Sequence, residues 1–221
     1  MSTVSLENYL KTIYHLSDGG RSIVSTQEVS KALDYSNPAI TDMAKKMKEK
    51  GLLEYTKYKG MRLSPRGTKE ALRIIRIHRL WETFLMEVLG YDWQEVHEEA
   101  ELLEHSTSDK LAEKLAIYLD YPERDPHGAP IPGIDGQWPA PSFDLLRFDH
   151  VVKPGIYTIQ RVSDNNPEFL QIITQLGLAL FTEIELVEHC SFDESKRILI
   201  RGKETFLSNK ISQRIFISEA K

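Results

Sequence analysis

The chain has 221 residues, 41% of them hydrophobic, and a formal net charge of −5 at pH 7. This length can hold one large domain or a few small ones with modest cores. No apolar run approaches the roughly 20 residues that cross a bilayer, and the first residues lack the basic start and apolar core of a secretion signal; we therefore expect a cytoplasmic protein without membrane segments. The single Cys190 excludes an internal disulfide and fits a reducing compartment.

The charge is distributed unevenly along the chain. Residues 1–66 carry 11 Lys and Arg against 7 Asp and Glu, a net of +4, whereas residues 67–142 carry 7 against 15, a net of −8. Residues 143–221 carry 10 against 11 and are close to neutral. The basic first third suits contacts with phosphate, and the acidic middle suits either a cation site or a solvated helical surface.

The first third has the pattern of three short helices. Apolar residues at helical spacing predict helix one over residues 6–16. Ser25, with Glu28 three residues later, marks the start of a second helix, and Ser36 can cap a third with Pro38 in its first turn. Two short helices joined by a tight turn make a helix-turn-helix.

Two short strands follow residue 51 and predict a hairpin that forms a wing. In a winged helix that binds DNA, the first turn of the third helix meets base edges in the major groove, while basic wing residues meet phosphates. A winged helix that docks onto a protein through a solvated lysine face is the alternative. The predicted DNA contacts are Ser36, Asn37, Pro38, Ala39, Thr41, Asp42, Lys45 and Lys46 on the helix, and Lys57, Lys59 and Arg62 on the wing.

Three further helical patterns cover residues 65–89, 93–106 and 108–119. Residues 121–142 are so rich in proline and glycine that we expect no regular structure there, and a domain boundary falls in this stretch. From residue 151 onward, short alternating runs predict a small β-barrel, interrupted by one short helix near residues 167–176.

These elements predict a mainly α protein with a small β domain. The predicted divisions are a winged helix-turn-helix domain (1–64), a helical domain (65–142), a linker (143–150) and a β domain (151–221).

Histidines and carboxylates recur at helical spacing in the acidic middle. Positions three and four apart share one helix face, so two ligand-bearing faces are expected on neighbouring helices. Such groups are costly at a helix interface unless they are paired or bind a metal, although a solvated acidic surface is the simpler interpretation of any single glutamate. The residues are His78 and Glu82 on one helix and His97, Glu101, Glu104 and His105 on the next.

The ligand types indicate the kind of metal. Carboxylate-rich sites with some imidazole suit Mn²⁺ or Fe²⁺, and none of the six residues is a soft Cys or Met ligand. Zn²⁺, Co²⁺ and Ni²⁺ bind many such sites more tightly than Mn²⁺, so we expect them to substitute in vitro.

Two other function classes stay open on these residues. Helical carboxylates and histidines also build di-metal carboxylate oxidases, but those need Glu-x-x-His units, and here Glu101 and His105 are four apart. Oxygen-dependent turnover with Fe²⁺ would identify such an enzyme. The other class is a winged-helix regulator with an organic effector and a structural His/Glu cluster, which metal-independent operator binding would support.

Five segments together resemble one family of regulators: SLENYLKTIY, SNPAITDMAKKMKEKGLL, IHRLWETFL, VHEEAELLEH and DPHGAPIPG. They resemble the metal-dependent transcriptional regulators of the diphtheria toxin repressor and manganese regulator family, and the resemblance covers essentially the full chain. It implies a winged helix, a helical dimerisation and metal-binding domain, and a C-terminal barrel similar to SH3 and FeoA domains. It also implies a homodimer, not an enzyme, whose metal-loaded form binds a palindromic DNA operator and represses metal-uptake genes.

The resemblance also implies two metal sites. Glu101, Glu104 and His105 match the primary, activating site of the family, and Glu101 stands where iron-type members have Cys, which favours manganese. The ancillary site of the longer members is matched by His78, Glu82 and His97. In manganese-specific members His78 joins the primary site instead.

Other ligands implied by the resemblance come from the two ends of the chain. Asp164 or Glu168 is the candidate from the C-terminal barrel. On helix one, manganese-type members place carboxylates at the positions of Asn8 and Lys11, and iron-type members place a Met at that of Asn8. The amide oxygen of Asn8 can ligate, whereas Lys11 cannot while it is protonated. Metal binding is then expected to tie helix one to the dimer core and to fix the spacing of the two reading helices.

Overall fold

The structure, a computed structural model, describes residues 3–141, 144–163 and 166–220. The helices in this part are α1 (Thr3–Leu16), α2 (Thr26–Leu33), α3 (Asn37–Glu49), α4 (Pro65–Glu87), α5 (Val96–Glu104), α6 (Asp109–Tyr118), α7 (Pro167–Gln175) and α8 (Asn209–Ser212). The strands are β1 (Leu53–Thr56), β2 (Gly60–Leu63), β3 (Leu146–Arg147), β4 (Gly155–Val162), β5 (Glu183–His189), β6 (Lys196–Ile200), β7 (Lys203–Leu207) and β8 (Ile215–Glu219). The predicted fold class, mainly helical with a small β domain, is confirmed.

The first three helices and the β1–β2 hairpin form the winged helix. Local sequence determines the helix starts: Ser25 and Glu28 make a reciprocal capping box at α2, and the Ser36 hydroxyl caps α3. Leu53 pairs with Leu63 across the antiparallel hairpin. Apolar side chains from every one of these elements and from α4 share one core, which includes Tyr9, Leu10, Ile13, Val29, Ile40, Met47, Leu53, Leu63, Leu72 and Ile75.

The long helix α4 joins the winged helix to the helical region. Its first half buries Leu72 and Ile75 in the winged-helix core, and its second half buries Leu80 and Leu85 against α6 and α5. Because one continuous helix contributes to both cores, a displacement of α4 would change the packing in each region. Among the described residues, no helix combines the length and the apolar character needed to span a membrane.

Helix α5 is shorter than the predicted helix over residues 93–106. It begins at Val96, because Asp92 and Glu95 form a turn in which the Glu95 amide donates to the Asp92 carbonyl at 2.9 Å. Trp93 leaves the helix pattern and packs against the C-terminal core. The short helix α8 was not predicted.

The C-terminal domain is a six-stranded antiparallel sheet in the order β3-β8-β4-β5-β6-β7. Its core includes Phe148, Ile159, Leu170, Leu186, Ile198 and Ile217. Leu146 pairs with Ile217, and Phe148 is fully buried in this core, so part of the stretch predicted as a linker packs with the sheet.

Residues 121–141 form no helix or strand, as expected for so many prolines and glycines. The segment is nevertheless held against its neighbours. Gly128 has φ +83° and lies so close to β4 that a Cβ there would be 2.2 Å from the Gln160 carbonyl oxygen. The Val162 amide donates to the His127 carbonyl at 2.9 Å. These contacts hold the loop against β4 of the C-terminal domain.

Candidate metal centre

The interface between α4 and α5 buries a connected set of charged side chains. The two ring nitrogens of His78 contact carboxylates on both sides: Nδ1 lies 2.6 Å from Glu104 Oε2, and Nε2 lies 3.1 Å from Glu82 Oε1. His97 Nδ1 lies 3.1 Å from the same Nε2. His78, Glu82 and Glu104 are each at most 5% exposed. Burial of this kind is costly unless the groups are paired or bind an ion.

Three groups each have ligand atoms within 4.8 Å of one another, and Glu101 belongs to two of them: His78, His97 and Glu101; Glu101, Glu104 and His105; and Glu82, Asp125 and His127. All six residues predicted on the two helices belong to one of them. Asp125 and His127 were missed by the sequence analysis as ligand candidates. The available signal was a carboxylate and an imidazole two residues apart in a Pro- and Gly-rich loop, which has no periodic pattern.

The loop geometry explains why Asp125 and His127 face the helices. Asp125 Oδ1 accepts the backbone N–H groups of His127 and Ala129, each at 2.9 Å, and Asp125 Oδ2 lies 3.3 Å from the Arg79 guanidinium on α4. His127 is fully buried, with Nδ1 3.9 Å from Glu82 Oε1. The turn thus adds a second carboxylate and an imidazole to Glu82.

Helix α1 reaches the same region from the winged helix. Glu7, which the sequence analysis missed, accepts from His105 Nδ1 at 2.7 Å and from Arg73 at 2.9 Å. Its only advance signal was its place beside Asn8. The Asn8 amide oxygen is buried and has no hydrogen-bond partner in the described part of the chain. Glu7 therefore connects α1 to Arg73 on α4 and to His105 at the end of α5.

Lys11, one turn further along α1, pairs with both α5 carboxylates. Its ammonium donates to Glu104 Oε1 at 2.7 Å and Oε2 at 2.8 Å, and it also contacts Glu101 Oε1. A protonated Lys11 cannot ligate a metal, as the sequence indicated, and here it is instead an ion-pair partner of the two carboxylates.

Electrostatics favour the charged forms of the central residues. Burial opposes protonation of His78, but Glu82 and Glu104 outweigh it and raise the pKa of His78 to about 10. Burial likewise opposes ionisation of the carboxyls. His78 nevertheless holds the pKa of Glu82 well below its usual range, and His78 with Lys11 lowers the pKa of Glu104. These three side chains therefore stabilise one another as an imidazolium and two carboxylates.

Several buried polar atoms at this centre fit a metal ion. His127 Nε2 donates to the Trp93 carbonyl at 2.7 Å and His105 Nδ1 donates to Glu7, so in the neutral rings the lone pairs are on His127 Nδ1 and His105 Nε2. These two nitrogens and Glu82 Oε2 are buried without a hydrogen-bond partner within the described ranges. Buried polar groups without partners are rare, and imidazole and carboxylate donors match a divalent cation.

A cavity of about 520 Å³ adjoins the centre and separates α1, α4, α5 and the end of β4. Its lining includes Lys11, His78, His97, Glu101, Arg161 and Ser163. All three parts of the molecule therefore meet at this cavity.

The structure does not bring Glu168 to the centre. Glu168 is exposed in the first turn of α7 and lines a different cavity of about 180 Å³, beside Lys210 and Arg214. Asp164, the other C-terminal candidate, lies outside the described residues and stays a prediction.

The predicted DNA-binding residues lie on α3 with its N-cap and on the β1–β2 hairpin. Ser36, Asn37, Pro38, Ala39, Asp42, Lys45, Lys46, Lys57, Lys59 and Arg62 are exposed, and Thr41 is half-buried. Two of the cations have acidic neighbours: Arg62 pairs with Glu54 at 2.6 Å, and Lys45 pairs with Asp42 at 3.3 Å.

Comparison with known domain families divides the chain into three matching regions. Residues 1–61 match the family described as the iron dependent repressor N-terminal DNA binding domain. Residues 64–133 match the iron dependent repressor metal binding and dimerisation domain, and residues 151–219 match the FeoA domain.

Individual proteins match over most of the chain. The iron-dependent repressor IdeR of Mycobacterium tuberculosis is 31% identical over 177 residues, covering 77% of this chain and 76% of the relative. The diphtheria toxin repressor of Corynebacterium glutamicum is 29% identical over 203 residues, covering 88% and 86%. A solved structure of a manganese-dependent transcriptional repressor in complex with manganese has a TM-score of 0.89 and 32% identity, covering 97% of this chain and 100% of that one.

Proposed function

Since the chain belongs to the iron-dependent repressor family of metal-dependent transcriptional repressors, we propose that divalent metal bound at the α1–α4–α5 centre activates it for DNA binding. The observation that carries this proposal is the contact between the two functional regions: Glu7 of α1 accepts from His105 at 2.7 Å. A ligand that favours this contact will favour one placement of the winged helix over others, and that difference in affinity is what a switch requires.

We assign two metal positions to the centre. The first is formed by Glu101, Glu104 and His105 with the Asn8 amide oxygen, and the second by Glu82, Asp125 and His127, with His78 and His97 between them. A bound divalent ion would supply the positive charge that holds these donors together. The protein's own part is to orient the donors: Glu7 aims His105 Nε2, and the Trp93 carbonyl aims His127 Nδ1.

The physiological metal is proposed to be Mn²⁺ or Fe²⁺. The donor set consists of carboxylate, amide oxygen and imidazole, which suits these ions better than it suits copper. One relative is named for iron and one similar structure for manganese. Zn²⁺, Co²⁺ and Ni²⁺ are expected to bind in vitro because of their higher intrinsic affinity for such sites.

The DNA target is proposed to be a palindromic operator bound by a homodimer, upstream of metal-uptake genes. A region matching a dimerisation domain supports the dimer, and two copies of α3 would then read two half-sites separated by whole helical turns. The exposed first turn of α3 suits base contacts, and the wing cations suit phosphates.

The experiment is fluorescence anisotropy of a DNA fragment from upstream of the protein's own gene or a neighbouring transporter gene. Chelator-treated protein is titrated with Mn²⁺, anaerobic Fe²⁺ and Zn²⁺. Tight binding only with metal is expected, and the order of the metals ranks the activators. Equal binding with and without metal would contradict the proposal and support an organic effector with a structural cluster.

A further inference from the structure

The primary group of ligands already contains a positive charge that belongs to the chain. The Lys11 ammonium donates to both oxygens of Glu104, at 2.7 and 2.8 Å, and contacts Glu101 as well. The Lys11 side chain is 12% exposed and that of Glu104 is fully buried. This pair differs from a surface ion pair, because both charged groups are largely shielded from water and each lacks solvent as an alternative partner.

A metal ion at this position would bind the same carboxylate oxygens. Metal–carboxylate distances are about 2.0–2.2 Å, shorter than the hydrogen bonds that Lys11 makes to Glu104. A divalent ion between Glu101, Glu104 and His105 would therefore lie close to the ammonium, and two cations at such a separation repel strongly in a partly buried site. The ammonium and the ion therefore compete for these carboxylates.

The structure also contains a space into which the Lys11 ammonium can move. Lys11 lines the cavity of about 520 Å³ next to the centre, together with Thr12, His15 and Leu16 of the same helix. A rotation about its side-chain bonds would move the ammonium into this space without moving α1. Asn8, three residues earlier on α1, would remain to contact the ion through its buried amide oxygen.

From this geometry we infer that Lys11 is a tethered competitor of the metal at the primary position. This inference rests on the proposed function and extends it. When a metal binds at the primary position, it replaces the Lys11 ammonium as the cation that contacts Glu101 and Glu104. The competition lowers the affinity for metal, so that the site responds at a higher metal concentration than its ligands alone would set.

The test measures metal affinity directly. Full-length protein treated with chelator is titrated with Mn²⁺ while the EPR signal of free Mn²⁺ is recorded. Lys11→Met is expected to bind Mn²⁺ roughly 10- to 100-fold more tightly than the wild type, the usual range for coupling between two ligands. Lys11→Arg keeps the charge and is expected to bind like the wild type. Lys31→Met, at an exposed position on α2, removes the same charge elsewhere and is expected to leave the affinity unchanged.

A melting curve without metal provides a second readout. Lys11→Met is expected to melt at a lower temperature than the wild type, because Glu104 then stays buried without its ammonium partner, and Mn²⁺ is expected to raise its melting temperature more than that of the wild type. If Lys11→Met does not fold, Lys11→Gln removes the charge while keeping N–H donors, and the same tighter binding is expected.

The outcomes separate this inference from the proposed function. Mn²⁺ affinity that is equal to or weaker than wild type in a folded Lys11→Met or Lys11→Gln variant overturns the competition and leaves the metal-activated repressor intact. If neither the wild type nor the charge-removing variants bind metal, the proposed function fails and the inference fails with it. Binding by the variants but not by the wild type supports competition in its strongest form.

Discussion

The helical region and the C-terminal sheet differ in how much ionisable side chain they bury. Between α4, α5 and the following loop, the interior holds His78, Glu82, Glu104, Asp125 and His127, and some of their polar atoms have no hydrogen-bond partner in the described part of the chain. The interior of the sheet is formed mainly by aliphatic and aromatic groups, although Gln160 on β4 and Lys196 on β6 are buried as well. Apolar burial stabilises a fold by itself, whereas buried charge needs a partner. The first interior thus suits a bound ligand, whereas the second is stabilised mainly by its own packing.

Ile159→Ala is expected to have the largest effect, and it tests how far apolar packing stabilises the C-terminal sheet. Ile159 is fully buried on β4, so removing three carbons should destabilise the protein by about 2–5 kcal/mol. Urea denaturation followed by circular dichroism measures this. Ile156→Ala on the same strand, where the side chain is 55% exposed, is the control and should change stability little. A loss of Mn²⁺ affinity in folded Ile159→Ala protein would show that the two interiors do not act separately.

Glu104→Ala tests the ligand side. This carboxylate contacts both Lys11 and His78, and it is proposed to bind the metal, so its loss should weaken metal-dependent operator binding roughly 100-fold. Anisotropy with and without Mn²⁺ measures the change. Glu98→Ala, exposed on the same helix, is the matched control. Operator binding that stays equally metal-dependent in Glu104→Ala would exclude the proposed primary position.

Sequence patterns predicted the elements whose causes are local. The start of α2 at Ser25 and that of α3 at Ser36 depend on hydrogen bonds within three residues, which a sequence displays directly. Helical spacing likewise grouped the ligands on α4 and α5. The start of α5 was misplaced because the side chain of Trp93 is drawn into the C-terminal core, a tertiary contact that no local pattern contains.

The part of the centre that was missed depends on contacts between distant segments. Asp125 and His127 lie in an irregular loop, and their orientation depends on Arg79 and on backbone bonds within the turn. Glu7 was overlooked because its role depends on His105, which is 98 residues away. Periodicity identifies residues on one helix face, but it does not show which loop covers that face.

Glu7→Ala addresses one of these missed residues and should have a smaller effect than loss of a ligand. Without Glu7, His105 Nδ1 loses the acceptor that fixes the ring, and loss of such a supporting partner lowers metal affinity by roughly tenfold to 100-fold. Isothermal titration with Mn²⁺ measures it. Asp109→Asn removes another partner of Arg73 without touching His105 and serves as the control. Equal affinities for Glu7→Ala and wild type would mean that His105 is held by packing alone.

The smallest expected effect is on DNA affinity and concerns the solvent-exposed cations of the predicted DNA surface. Two of these cations can be compared, one of which already pairs with a carboxylate. Lys46 is exposed on α3 and Arg62 on β2, but Arg62 already pairs with Glu54 at 2.6 Å. Each phosphate contact contributes about one unit to the slope of log affinity against log salt concentration. Lys46→Met should therefore reduce that slope by about one unit, and Arg62→Met by less, because breaking its pair with Glu54 offsets part of the gain from the phosphate. Anisotropy titrations with Mn²⁺ at several salt concentrations measure both slopes. A larger reduction of the slope in Arg62→Met than in Lys46→Met would contradict this expectation. It would mean that Arg62 replaces Glu54 by phosphate without a free-energy cost, and that the wing, rather than α3, makes the main electrostatic contact with DNA.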